Sequence, residues 1–155
     1  NKANLITANS MGTWLDDKAK ISLLYRPGTE VALLNGIIRI ILEEGLENKE
    51  FISDRTAGFE ALRESVSRYD PAAVEEITGV SRDLIIRASR MYAQGERASI
   101  LIASGLGLRG DEGGIARAAY LLQLSCSAVM SWLTNNGDMF TRWTRTPPLG
   151  LPLAS

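Results

Sequence analysis

The chain has 155 residues, 45% apolar and 23% charged, which is the size and balance of one folded domain with its own core. A formal charge of -1 supplies no basic face for nucleic acid or an anionic membrane, and no apolar run reaches the roughly 20 residues that span a bilayer. Histidine is absent and Cys126 is the only cysteine, so the chain alone cannot build a Cys/His zinc site, an iron–sulfur cluster, an internal disulfide or a histidine-based triad. No basic-then-apolar leader is visible, and the expected compartment is the cytoplasm, with the periplasm as alternative.

Asn4 to Ala8 is a short run of β formers that predicts a strand, and Asn9-Ser10-Met11-Gly12 after it is a loop signal. Ile21 to Tyr25 is a second apolar run, stopped by Pro27-Gly28. A long helix follows, with Val31, Leu34, Ile38, Ile41 and Leu42 at helical spacing and Arg39 and Glu43 as an i,i+4 pair. Thr29 stands at its N-cap and Gly45 at its stop.

Shorter helices fill the middle. Thr56 is the expected cap of one carrying Phe59, Leu62 and Val66. Asp70-Pro71 starts another, with proline in the first turn where its missing N–H does no harm. Ser81 caps a third, carrying Leu84, Ala88, Met91 and Tyr92 and ending near Gly95. Arg82, Arg87, Arg90 and Arg97 read as a solvated helix face, with a phosphate site as the minor alternative.

Ala98 to Ala103 is the strongest strand signal, a continuous apolar run suited to a strand covered on both faces. It runs into Ser104-Gly105-Leu106-Gly107 and then a helix from about Gly114 to Leu124. This order predicts an α/β domain with an open, mostly parallel sheet flanked by helices; a mostly helical domain with two buried strands is the competing fold. Cys126 reads as a buried packing residue, and Trp132, Met139 and Trp143 as packing against other parts of a parent protein, with a cofactor pocket as the alternative. Residues 1–143 form the expected domain, and Pro-rich 144–155 an extended or disordered tail.

Chemistry is expected where strands end, because ligands of open α/β sheets bind at strand carboxyl ends. The loops at 9–12 and 104–108 both qualify, and glycine there lets backbone N–H groups approach a phosphate. Gly105 and Gly107, with Gly110 standing third, make only a partial dinucleotide fingerprint, so a tight strand-to-helix turn without ligand is the alternative. Pro27-Gly28-Thr29-Glu30 offers a helix N-terminus and a carboxylate able to accept from a guanine edge; an ordinary capped helix start is the alternative.

The run Tyr25-Arg26-Pro27-Gly28-Thr29-Glu30-Val31-Ala32-Leu33-Leu34-Asn35-Gly36 resembles a segment of the molybdopterin-dependent oxidoreductases, the formate dehydrogenase, nitrate reductase and dimethyl sulfoxide reductase group. The similarity continues through Ile41 to Leu46, Lys49 to Ile52, Arg55-Thr56 with Gly58-Phe59-Glu60, Val74 to Val80 and Ala88 to Ala93. Its closest flavour is the formate dehydrogenase α subunit.

The resemblance implies a Rossmann-like domain that holds half of a bis-molybdopterin guanine dinucleotide. It implies cofactor contact at Asn9, Ser10 and Met11, at Gly28, Thr29 and Glu30, and at Ser104, Gly105 and Leu108. No catalytic residue or metal ligand is assigned, and any iron–sulfur cluster is expected outside this chain. The implied partners are sister domains of a parent subunit and electron-transfer subunits, with no nucleic acid and no membrane insertion. Oligomerisation of the isolated chain is a further expectation.

The chain departs from the family pattern. Asn9 stands for an acid, Met11 for an arginine and Glu30 for an aspartate. Ser104 and Leu108 replace a methionine and a polar residue, and Leu124-Ser125-Cys126-Ser127 poorly matches a leucine-threonine-glycine-asparagine stretch. The departures at Asn9, Met11 and Leu108 motivate one alternative, a cofactor-free structural domain of the same descent, as in the large iron–sulfur subunit of NADH-quinone oxidoreductase. A third reading is an unrelated nucleotide-binding domain.

Overall fold

The computed structural model describes residues 4–95, 98–103, 112–126, 129–133 and 139–142. Strand β1 (Ile6–Asn9) pairs in parallel with β2 (Ile21–Leu24), Ile6 opposite Ile21 and Asn9 opposite Leu24. Helices α1 (Glu30–Glu43), α2 (Lys49–Arg55), α3 (Phe59–Val66), α4 (Pro71–Thr78) and α5 (Arg82–Ala93) follow. Strand β3 (Ser99–Ala103), helix α6 (Glu112–Cys126) and strand β4 (Val129–Leu133) form a parallel β–α–β unit, and β5 (Met139–Arg142) pairs antiparallel to β4.

The molecule is therefore α/β, but its strands fall into two small sheets, β1–β2 and β3–β4–β5, rather than the one open sheet expected from the sequence. Strands β4 and β5 were not anticipated, because Trp132 and Met139 read as isolated packing residues. The 3–10 turn Asp16–Lys18, not a full helix, bridges β1 to β2.

Helix α1 organises the core. The expected one-sided stripe falls short, since Leu33, Gly36, Ile37, Ile38, Ile40, Ile41 and Leu42 are all buried. Helices α3, α4, α5 and α6 all pack on α1, which explains burial around most of its circumference. Val74 of α4 and Ile85 of α5 are fully buried in the same cluster. The one polar strip on α1 carries the Arg39–Glu43 pair at 2.7 Å, and Arg39 also donates to the carbonyl of Ser67.

Caps divide into those that use the side chain and those that do not. Asp70 accepts from the amides of Ala72 and Ala73 at 3.0 and 3.1 Å, as its position before Pro71 predicts. Thr29 occupies the N-cap of α1, yet its hydroxyl donates to the Arg26 carbonyl at 2.6 Å. Thr56 does not cap α3. It ends α2, its hydroxyl bonding to the carbonyl of Ile52, while Gly58 at φ 76° opens α3. β3 is also less covered than expected: Ile100 and Ile102 are half-buried, whereas Leu101 on the other face is 59% exposed. The alternating pleat gives α6 only one face to cover. The tail at 144–155 lies outside the described residues.

Candidate functional site at the carboxyl ends of the first two strands

Parallel pairing places the carboxyl ends of β1 and β2 side by side. The Tyr25 amide donates to the Asn9 carbonyl at 3.0 Å, so the loop after β1 and the turn after β2 share one edge. Asn9, Ser10 and Met11 lie on the first, and Gly28, Thr29 and Glu30 on the second.

The first loop is tied by Asp16. Its carboxylate accepts from the Thr13 amide at 2.6 Å, the Thr13 hydroxyl at 3.1 Å and the Asn9 side-chain amide at 3.0 Å. The hydroxyl of buried Thr7 stops short of full hydrogen-bond geometry but still acts on this carboxylate. Thr7 first, then the Thr13 amide, hold Asp16 well below the usual carboxylate range, at about 2. With the loop so tied, Met11 and Trp14 stand out, each 75% exposed. Sequence reasoning missed Asp16; its signal was an acid four residues past the Asn9–Gly12 loop, able to accept from amides of that segment.

The second turn is held by Arg26, whose role the sequence also hid. Its amide donates to the Thr78 carbonyl at 2.8 Å, and its guanidinium donates to the carbonyls of Glu76 and Ile77. Arg26 thus caps the carbonyl end of α4, where a cation is favoured. Gly79 permits this: its φ is 76°, and a Cβ there would meet Arg26 Nε at 3.3 Å. Beyond Arg26, Gly28 takes φ 84° and donates its amide to Glu30 Oε1 at 3.3 Å. Burial first, then the Glu30 charge, raises the Tyr25 phenol.

These loops suit the base and ribose end of a nucleotide better than its phosphates. Glu30 presents a carboxylate at the α1 N-terminus, and the Asn9 side-chain carbonyl is free of partners among the described residues. Arg26, the cation of the second turn, is spent on α4. A pyrophosphate would meet backbone amides and the positive end of α1 alone.

Comparison with known proteins finds relatives that match over part of their length. The chain is 40% identical over 104 residues to the F420-dependent formate dehydrogenase subunit alpha of Methanocaldococcus jannaschii, a match covering 67% of this chain and 16% of that protein. It is 44% identical over 88 residues to formate dehydrogenase H of Escherichia coli, covering 57% of this chain and 12% of that protein. The solved structure of acetylene hydratase from Pelobacter acetylenicus superposes with a TM-score of 0.72 at 32% identity, over 80% of this chain and 17% of that one. The chain belongs to the molybdopterin-dependent oxidoreductase family. No family model matches it. It spans about one sixth of the length of the first of these relatives.

Membership confirms the resemblance carried by the Tyr25–Gly36 run and the segments after it. The arginine of that run serves the fold, while the glycine and acid after it form the exposed turn. Ser104, Gly105 and Leu108 lie outside the described residues; the other six expected contact positions fall on the loop after β1 and the turn after β2. Burial first, then the nearby Glu47 carboxylate, pushes the Cys126 thiol up to about 12, which fits its reading as a packing residue. Among the described residues no cluster of three potential metal ligands occurs.

Proposed function

We propose that this chain is the Rossmann-like segment of the catalytic subunit of a formate dehydrogenase-like molybdopterin oxidoreductase. It helps to hold a molybdopterin guanine dinucleotide at the carboxyl ends of its strands. The supporting observation is the juxtaposition of the 9–11 loop with the Gly28–Glu30 turn, through the Tyr25–Asn9 bond.

In this reading the bound group supplies the redox chemistry, and the protein supplies binding and orientation. Glu30 accepts from the guanine ring edge, Asn9 presents its side-chain carbonyl to a ribose hydroxyl, and the α1 N-terminus faces the phosphates. Asp16 and Arg26 hold the two loops in place without touching the nucleotide. Ser104, Gly105 and Leu108 belong to the same proposed cradle. The metal ligand, the cluster cysteines and the substrate pocket lie on other parts of a parent subunit, with sister domains and electron-transfer subunits as partners and the cytoplasm as compartment.

A second reading rests on the missing cations: a cofactor-free structural domain of the same descent. Titration of the chain with GMP, followed by backbone amide NMR, separates the two. The cradle reading predicts saturable shifts at Asn9, Gly28 and Glu30 and binding about tenfold weaker in Glu30→Gln, the worth of one hydrogen bond to a charged group. Absence of any shift at these residues supports the structural reading.

A further inference from the structure

At the opposite ends of the strands the structure holds a second cleft, of about 440 Å³, with a charge unlike that of the chain as a whole. Asn4 precedes β1, Lys20 precedes β2, and Arg87, Arg90 and Gln94 come from the last turns of α5. All five line the cleft, and its other two wall residues are uncharged. Among the described residues, three cations and two side-chain amides therefore face one space with no carboxylate in its wall, in a chain of net charge -1.

One cation is already balanced. Glu44 grips Arg90 through both carboxylate oxygens at 2.7 to 3.1 Å, which fixes the guanidinium and cancels its charge. Lys20 reaches only the Asn4 side-chain carbonyl, at 3.4 Å, and Arg87 makes no ion pair among the described residues. The carbonyl end of α5 contributes roughly half a negative charge, too little to offset two free cations. Arg87 and Arg90 are like charges at i,i+3, a spacing that costs a few tenths of a kcal/mol in isolation. The volume lies within the roughly 300 to 1,000 Å³ typical of small-ligand sites.

We propose that this cleft binds a small phosphate-class anion, with Lys20 and Arg87 as the charged donors, Arg90 as a fixed guanidinium wall, and Asn4 and Gln94 as neutral donors. The site is separate from the cradle at the strand carboxyl ends and does not depend on it.

Titration of the full 155-residue chain with pyrophosphate at low ionic strength, read by amide NMR, tests this. A hexaglutamate peptide and inorganic phosphate serve as parallel probes. The expected result is saturable shifts at Lys20, Gln94 and Gly95 with pyrophosphate, weaker ones with phosphate, and loss of affinity as salt is added. Lys20→Gln and Arg87→Gln each weaken binding about tenfold, while Arg68→Gln, which removes an exposed cation outside the cleft wall, leaves it unchanged. Circular dichroism of each variant checks that the fold is retained. No saturable shift at these residues overturns the proposal, as does equal binding by both cleft variants when folded. Shifts with hexaglutamate but not pyrophosphate overturn it too, since the cleft would then be a contact for an acidic protein segment.

Discussion

Asp16 shows how one half-buried side chain can fix a loop. Three donors converge on its carboxylate, and a group held at about 2 stays charged under nearly all conditions. Its pKa is depressed on folding, so its contribution is present above about pH 4 and fades as pH falls toward 2. NMR titration of the Asp16 carboxyl is expected to show that midpoint. Asp16→Asn is expected to abolish it and to raise mobility at Asn9–Thr13 while leaving the α1 core intact. Cys126 gives the opposite sign. Its thiol is raised to about 12, so folding favours the protonated form, and stability falls as pH climbs from about 9 toward 12. The native chain is expected to react slowly with a thiol-specific disulfide reagent at pH 8 and fully once denatured; equally fast reaction of the native chain would contradict the raised thiol and its half-buried placement.

At the scale of elements, α1 sets the tolerances. A Cβ at Gly36 would lie 2.7 Å from Cγ2 of Val74, a fully buried side chain. Alanine gains up to about 1 kcal/mol over glycine in a helix, but overpacking costs about 1–3 kcal/mol. The clash wins, because Val74 is branched and walled in. Gly36→Ala is expected to lower stability by roughly 1–2 kcal/mol in urea unfolding, and Val74→Ala added to it should restore part of that loss. The sequence shows Gly36 only as part of a motif, since the helix that crowds it lies far along the chain.

The same distance effect marks what was legible in advance. The first two strands, α1, α4, α5, β3 and α6 were readable from apolar runs and from local signals such as Asp70-Pro71. What failed was set by remote partners. Burial around α1 depends on four helices, the two-sheet arrangement on pairings between distant segments, and the role of Arg26 on carbonyls some fifty residues away. The contact positions at 9–11 and 28–30 were named from the family resemblance and meet at one edge. Asp16, which ties the first of them, was invisible because its donors become neighbours only when the loop closes.

For the whole molecule, the central claim is that this edge still serves a dinucleotide cofactor despite its lost charges. In the proposed cradle, Met11 where the resemblance expects arginine, together with the use of Arg26 on α4, would leave the phosphates to backbone donors. Glu30 retains a carboxylate that would accept from a guanine edge. The decisive measurement is the molybdenum or tungsten content of the intact protein that carries this chain, matured in a host that makes the cofactor, together with the guanine nucleotide it releases on acid hydrolysis. The account predicts metal and nucleotide together, two nucleotides for each metal. Properly matured, folded protein that contains neither would contradict it.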